Sequence, residues 1–72
     1  MTLGEERVRV SFNPSHNAEV DGIKRKTAEL IDACQRLKAA TASNEVMRLA
    51  SLAQTAYEEA GMWAVKAATH EH

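Results

Sequence analysis

The residues with the most to offer chemically are Phe12, Asn13, Lys24, Lys26, Thr27 and Lys66. An aromatic ring close to lysines can stack on a nucleobase while the ammonium groups meet phosphate, and an asparagine amide can read a base edge. Pro14 follows Asn13 in the stretch Asn13-Pro14-Ser15-His16-Asn17, where proline disfavours helix at the residue before it and Asn and Ser bond nearby backbone amides. Such a set suits a ligand that joins bases to phosphates. The commoner use of the same residues is plainer: a phenylalanine that seals the end of a hairpin, and solvated lysines flanking an apolar stripe.

Other chemistry is poorly supplied. Cys34 falls on an apolar seam and reads as a small buried hydrophobe. His16 precedes a helix with no obvious carboxylate partner. His70 and His72 form an H-x-H tail that would bind a metal only weakly and reads as a fraying terminus. Glu58 and Glu59 are adjacent, so on a helix they point to different faces and make a poor acid–base pair. Neither a Gly-rich phosphate loop nor zinc-finger spacing is present. The expectation is a protein that is not an enzyme and uses no cofactor or metal.

Composition narrows the partners. The 72 residues carry nine basic and ten acidic side chains, for a net charge of −1. That balance argues against binding to DNA or RNA polymers, which need a strongly basic face, but leaves room for a small anion. No apolar run approaches the ~20 residues that cross a bilayer. The opening residues lack the features of a signal peptide, and one unpaired thiol suits the cytoplasm, where the protein is expected to act.

The elements that must position these residues are helical. The chain reads as one all-α domain over 1–72: an N-terminal arm over 1–17, a helix over 18–40 and a second helix over 44–69. Arg7-Val8-Arg9-Val10-Ser11-Phe12 alternates polar and apolar, which puts Val8, Val10 and Phe12 on one face of an extended or one-turn arm; the alternative is a short helix with Arg7 and Arg9 pointing outward. Asn17 and Ser43 are the expected N-caps. Val20, Ile23, Thr27, Leu30, Cys34, Leu37 and Thr41 recur with alternating gaps of three and four, as do Val46, Leu49, Ala53, Ala56, Ala60, Trp63 and Ala67. Two such seams joined by a few residues predict an antiparallel αα-hairpin, with Trp63 filling its open end. Asp21–Arg25 and Asp32–Arg36 stand four apart as surface ion pairs. In this register Lys24 and Lys26 flank the first seam, and Lys66 flanks the second beside Trp63. Ile31, Leu52, Tyr57, Met62 and Val65 remain beside or opposite the seams. A core this small supplies only ~3–5 kcal/mol, so hairpins are expected to share a core in a compact homo-oligomer.

Three stretches carry a resemblance. Arg7-Val-Arg-Val-Ser-Phe-Asn-Pro-Ser15, Val20-Asp-Gly-Ile-Lys24 with Ala28-Glu-Leu-Ile-Asp32, and Ala60-Gly-Met-Trp-Ala-Val-Lys-Ala67 resemble the phage anti-CBASS sponges of the Acb/Tad hairpin type. The resemblance covers nearly the whole chain, and the F-N-P-S turn and the M-W-A-V-K run are its most specific parts. It implies a non-enzymatic hairpin, assembled as a homohexamer, that sequesters the cyclic oligonucleotides of CBASS immunity in the infected bacterial cell. Cyclic dinucleotides such as cGAMP would bind between protomers, and cyclic trinucleotides in a separate pocket around a three-fold axis. Carried over residue by residue, Phe12 is the stacking ring and Lys24 or Lys26 the phosphate ligand, while Asn13, Thr27 and Lys66 line the trinucleotide pocket; Pro14 completes the turn. Two departures stand out. Phe12 replaces a tyrosine of some relatives and loses a hydroxyl contact; Lys66 replaces an arginine and cannot clamp phosphate bidentately.

Overall fold

The computed structural model describes residues 1–9 and 17–70 and contains three helices among them: α1 (Leu3–Val8), α2 (Ala18–Ala39) and α3 (Asn44–Ala68). The two long helices begin where side chains can satisfy their first amides. The Asn17 side chain accepts from the Glu19 and Val20 amides, and Ser43 Oγ accepts from the Val46 amide at 3.2 Å. Ile31 faces Gln54, and Thr27, earlier on α2, faces Gly61, later on α3. That order makes the pair an antiparallel hairpin.

Of the two forms open to the arm, its first part takes the alternative one. It starts as a helix, not as an extended segment, because Thr2 and Glu5 form a reciprocal capping box: the Glu5 amide donates to Thr2 Oγ1 at 3.1 Å and the Thr2 amide to Glu5 Oε1 at 2.9 Å. A six-residue helix does not hold by itself. It is held by docking at Gly4, whose amide donates to Asp32 Oδ1 at 2.7 Å. A Cβ there would lie 2.1 Å from the Ala28 carbonyl oxygen, so only glycine permits the approach. Asp32, expected to pair with Arg36, is thus turned to α1, whereas Asp21–Arg25 forms as expected at 3.0 Å. Arg9 closes α1 in the left-handed region at φ 58°. Val10 and Phe12, the rest of the alternating stretch, lie outside the described residues.

The seams are also rotated from their expected positions. Buried on α2 are Val20, Lys24, Thr27, Ala28, Ile31 and Cys34; buried on α3 are Ala50, Gln54 and Gly61. Val20, Thr27 and Cys34 belong to the expected seam, but Leu30 and Leu37 are exposed, and Ile31 is completely buried in their place. On α3 the expected seam turns outward: Val46, Leu49, Ala56, Ala60 and Ala67 are exposed, and Trp63, expected to fill the hairpin's end, is 64% exposed. The cause is close packing. Small residues let the backbones approach, and Gln54 crosses the interface with its Nε2 donating to the Ile31 carbonyl and to Gln35 Oε1, each at 3.1 Å. Its Oε1 accepts from Lys38 Nζ at 3.3 Å, so the buried amide is satisfied. No described helix is long and apolar enough to cross a membrane.

Candidate anion-binding pocket

Where the end of α1 meets the first half of α2 and the second half of α3, the three helices line an open-sided pocket of about 410 Å³, a size suited to small-molecule ligands. α1 brings Arg7, Val8 and Arg9 to it, because the docking of Gly4 on α2 aims the helix's last turn at the hairpin. α2 brings Lys24 and Thr27, one turn apart on its buried face. α3 brings Glu58 and, on the apolar side, Met62 and Val65. Gly61 forms the floor: a Cβ there would stand 2.8 Å from Thr27 Cγ2.

The polar groups are tied to one another. Arg7 Nε donates to Glu58 Oε2 at 2.8 Å, and its Nη2 donates to the same oxygen. Lys24 is only 7% exposed, and its ammonium donates to the Arg9 carbonyl at 3.2 Å. Burial, with a smaller contribution from the nearby Arg9 guanidinium, pushes the Lys24 ammonium below the ordinary lysine range. The Thr27 hydroxyl donates to the Ile23 carbonyl at 2.7 Å, which holds its side chain in one rotamer against Gly61. Three cationic side chains therefore line a partly dry concavity against one carboxylate. Such a site favours an anion, because low-dielectric walls focus the field of the cations. Among the described residues no group of three or more His, Cys, Asp or Glu is placed to hold a metal ion.

Residues 4–69 match the hairpin domain of Acb2/Tad1. The chain belongs to the Acb2/Tad1 hairpin family. That family is associated with the sequestration of cyclic oligonucleotides and is not a known enzyme family. No curated protein and no solved structure matches the chain significantly.

Of the residues singled out in the sequence, this Acb2/Tad1 hairpin domain brings Lys24 and Thr27 together in the pocket. Lys26 does not join them. Two positions further along a helix lie on nearly the opposite side, and Lys26 is exposed there. Lys66 lies near the end of α3, exposed, with its Nζ 5.7 Å from the centroid of the Trp63 ring. Phe12, Asn13 and Pro14 lie outside the described residues, in the stretch that joins Arg9 to Asn17. Sequence reasoning overlooked Arg7, Arg9, Glu58 and Gly61 as pocket residues. One signal was available for the arginines: Thr2-x-x-Glu5 is a capping-box pattern, and a helix starting there carries Arg7 and Arg9 to its last turn. Glu58 had none, since its partner is 51 residues away.

Proposed function

We propose that this chain is a phage sponge that binds cyclic dinucleotides, cGAMP among them, and withholds them from CBASS antiviral signalling in the cytoplasm of the infected bacterium without cleaving them. The observation that carries this reading is the convergence of Arg7, Arg9 and Lys24 on one pocket that also offers the apolar flanks of Met62 and Val65. Lys24, not Lys26, is the phosphate ligand in this reading, and a phosphate would restore to its ammonium the solvation that burial removes. Phe12 supplies the stacking ring from the stretch that follows Arg9, with Asn13 on a base edge and Pro14 shaping the turn. Cyclic trinucleotides are a second ligand class, held by Thr27, Lys66 and Asn13 where protomers meet around a three-fold axis.

Assembly supports the same function. Leu30, Leu37, Val46, Leu49, Leu52 and Trp63 are exposed on the single hairpin, and covering them in a homohexamer would give the small core the added burial it needs. Sequestration has no turnover, so affinity and copy number decide the outcome. Nanomolar binding needs about −12 kcal/mol, of which stacking supplies ~1–3 kcal/mol per base.

The test is retention followed by recovery. Protein mixed with 3′,3′-cyclic GMP-AMP is freed of unbound ligand by filtration and then denatured. Intact cyclic dinucleotide in stoichiometric amount supports the sponge; absence of retained ligand, or linear products, overturns it. A structural adaptor hairpin is the second reading, favoured by the exposure of Met62 and Trp63. It predicts a small oligomer by light scattering and free replacement of Lys24.

A further inference from the structure

Arg7 enters the reading above only as one of three positive charges and Glu58 has no role in it, yet both line the pocket. Their side chains are about one-third exposed or less, at 27% and 34%. Pairs with that much exposure contribute little to stability. α1 also has its own anchor in the bond from the Gly4 amide to Asp32. A carboxylate inside an anion-binding pocket repels the ligand unless it serves something else there. What it serves is visible in the bonding: Glu58 Oε2 takes Nε and one Nη2 hydrogen of Arg7. A guanidinium has five donors in a rigid plane. The edge made by Nη1 and the second Nη2 hydrogen is what remains, and it has the fork geometry that matches two phosphate oxygens.

We propose that Arg7 is a bidentate phosphate ligand of this pocket and that Glu58 is the positioning residue that presents it. The proposal rests on the functional reading above and assigns to that site a ligand group the lysines cannot replace. An arginine on a six-residue helix would otherwise sample many rotamers. Gripped from α3 by Glu58, it crosses from α1 over the pocket with its outer edge set before the ligand arrives, so less freedom is lost on binding. The fork also supplies what Lys24 and Lys66, as point charges, do not.

The experiment titrates 3′,3′-cyclic GMP-AMP into the wild type, Arg7→Lys, Arg7→Ala, Glu58→Ala and the Arg7→Ala/Glu58→Ala double variant. Protection of the Gly4 amide from hydrogen exchange reports whether α1 stays docked. Arg7→Lys keeps a cation for Glu58 and is expected to keep that protection while weakening binding roughly ten- to a hundredfold. Glu58→Ala is expected to weaken binding about three- to tenfold in the wild-type background but to leave it unchanged or tighten it in the Arg7→Ala background, where Glu58 has no guanidinium to present and its carboxylate only repels the anion. If Arg7→Lys binds like the wild type, or Glu58→Ala binds equally or more tightly in the wild-type background, the proposal is overturned while the sponge reading stands. A wild type that binds nothing overturns that reading itself.

Discussion

The buried faces of α2 and α3 carry mostly small and polar groups, among them Thr27, Ala28, Cys34, Ala50, Gln54 and Gly61, with Val20 and Ile31 as the larger apolar side chains. The outer surface carries Leu30, Leu37, Val46, Leu49, Leu52, Met62 and Trp63, all exposed. Most of the larger apolar groups are thus on the outside. The inner face trades burial for close approach, which lets a glycine and a threonine shape a pocket floor. The outer face holds the surface an assembly would bury. Each such leucine is already about half-buried, so covering the rest is worth ~1 kcal/mol, and several together rival the stability of the whole isolated core.

Substitution pairs sharpen this contrast. Ile31→Ala, at a fully buried site, should cost about 2–5 kcal/mol and leave little folded protein, whereas Leu49→Ala should leave the hairpin's helicity intact. Urea unfolding followed by circular dichroism, at protein concentrations spanning assembly, checks both. Equal losses at low concentration would mean that the inner and outer faces are wrongly assigned.

Glycines give the next largest effect. Gly61→Val places its Cβ 2.8 Å from Thr27 and should cost ~1–3 kcal/mol by overpacking, while also narrowing the pocket. Gly22 meets nothing within 4 Å, so Gly22→Ala should stabilise the protein by about 0.5–1 kcal/mol. Thermal unfolding of the two variants should shift in opposite directions.

The smallest effect is in pH. Because burial lowers the Lys24 pKa below its unfolded value of 10.5, the unfolded chain binds more protons as pH rises through the folded pKa. The ligand-free protein should therefore gain stability in that alkaline window, the reverse of the behaviour of a salt-bridged lysine. Ligand affinity should move the other way, constant at lower pH and falling as Lys24 loses its proton. Lys24→Met should abolish both slopes, which calorimetry across the window can read.

Much of the local structure was legible. Asn17 and Ser43 cap helices because their side chains reach orphan amides, and that depends on neighbours alone. The alternating gaps of three and four were genuine helical stripes as well. What the spacing could not tell was which stripe meets its own partner helix. That choice depended on small residues such as Gly61, which meets Thr27 closely, permitting an approach that leucines would block, and on Gln54 finding three partners across the interface. In the arm the Arg-Val alternation fits a strand or a short helix equally, and the capping box of Thr2 and Glu5 decides for the helix. In the pocket, Lys24 and Thr27 were legible as neighbours on one helix, one of them as half of an unresolved choice with Lys26. Arg7, Arg9 and Glu58 were not, since they meet only after α1 folds back onto the hairpin.

That fold-back makes Gly4→Ala the most direct test. A Cβ at residue 4 would stand 2.1 Å from the Ala28 carbonyl oxygen, so α1 must leave its seat and take Arg7 and Arg9 away from Lys24. Wild type and Gly4→Ala are titrated side by side with 3′,3′-cyclic GMP-AMP by calorimetry, with helicity measured on each. The expected result is saturable binding by the wild type and loss of at least ~100-fold in affinity by the variant, with α2 and α3 still folded. Undiminished binding by Gly4→Ala would contradict a ligand site built by α1 on the hairpin.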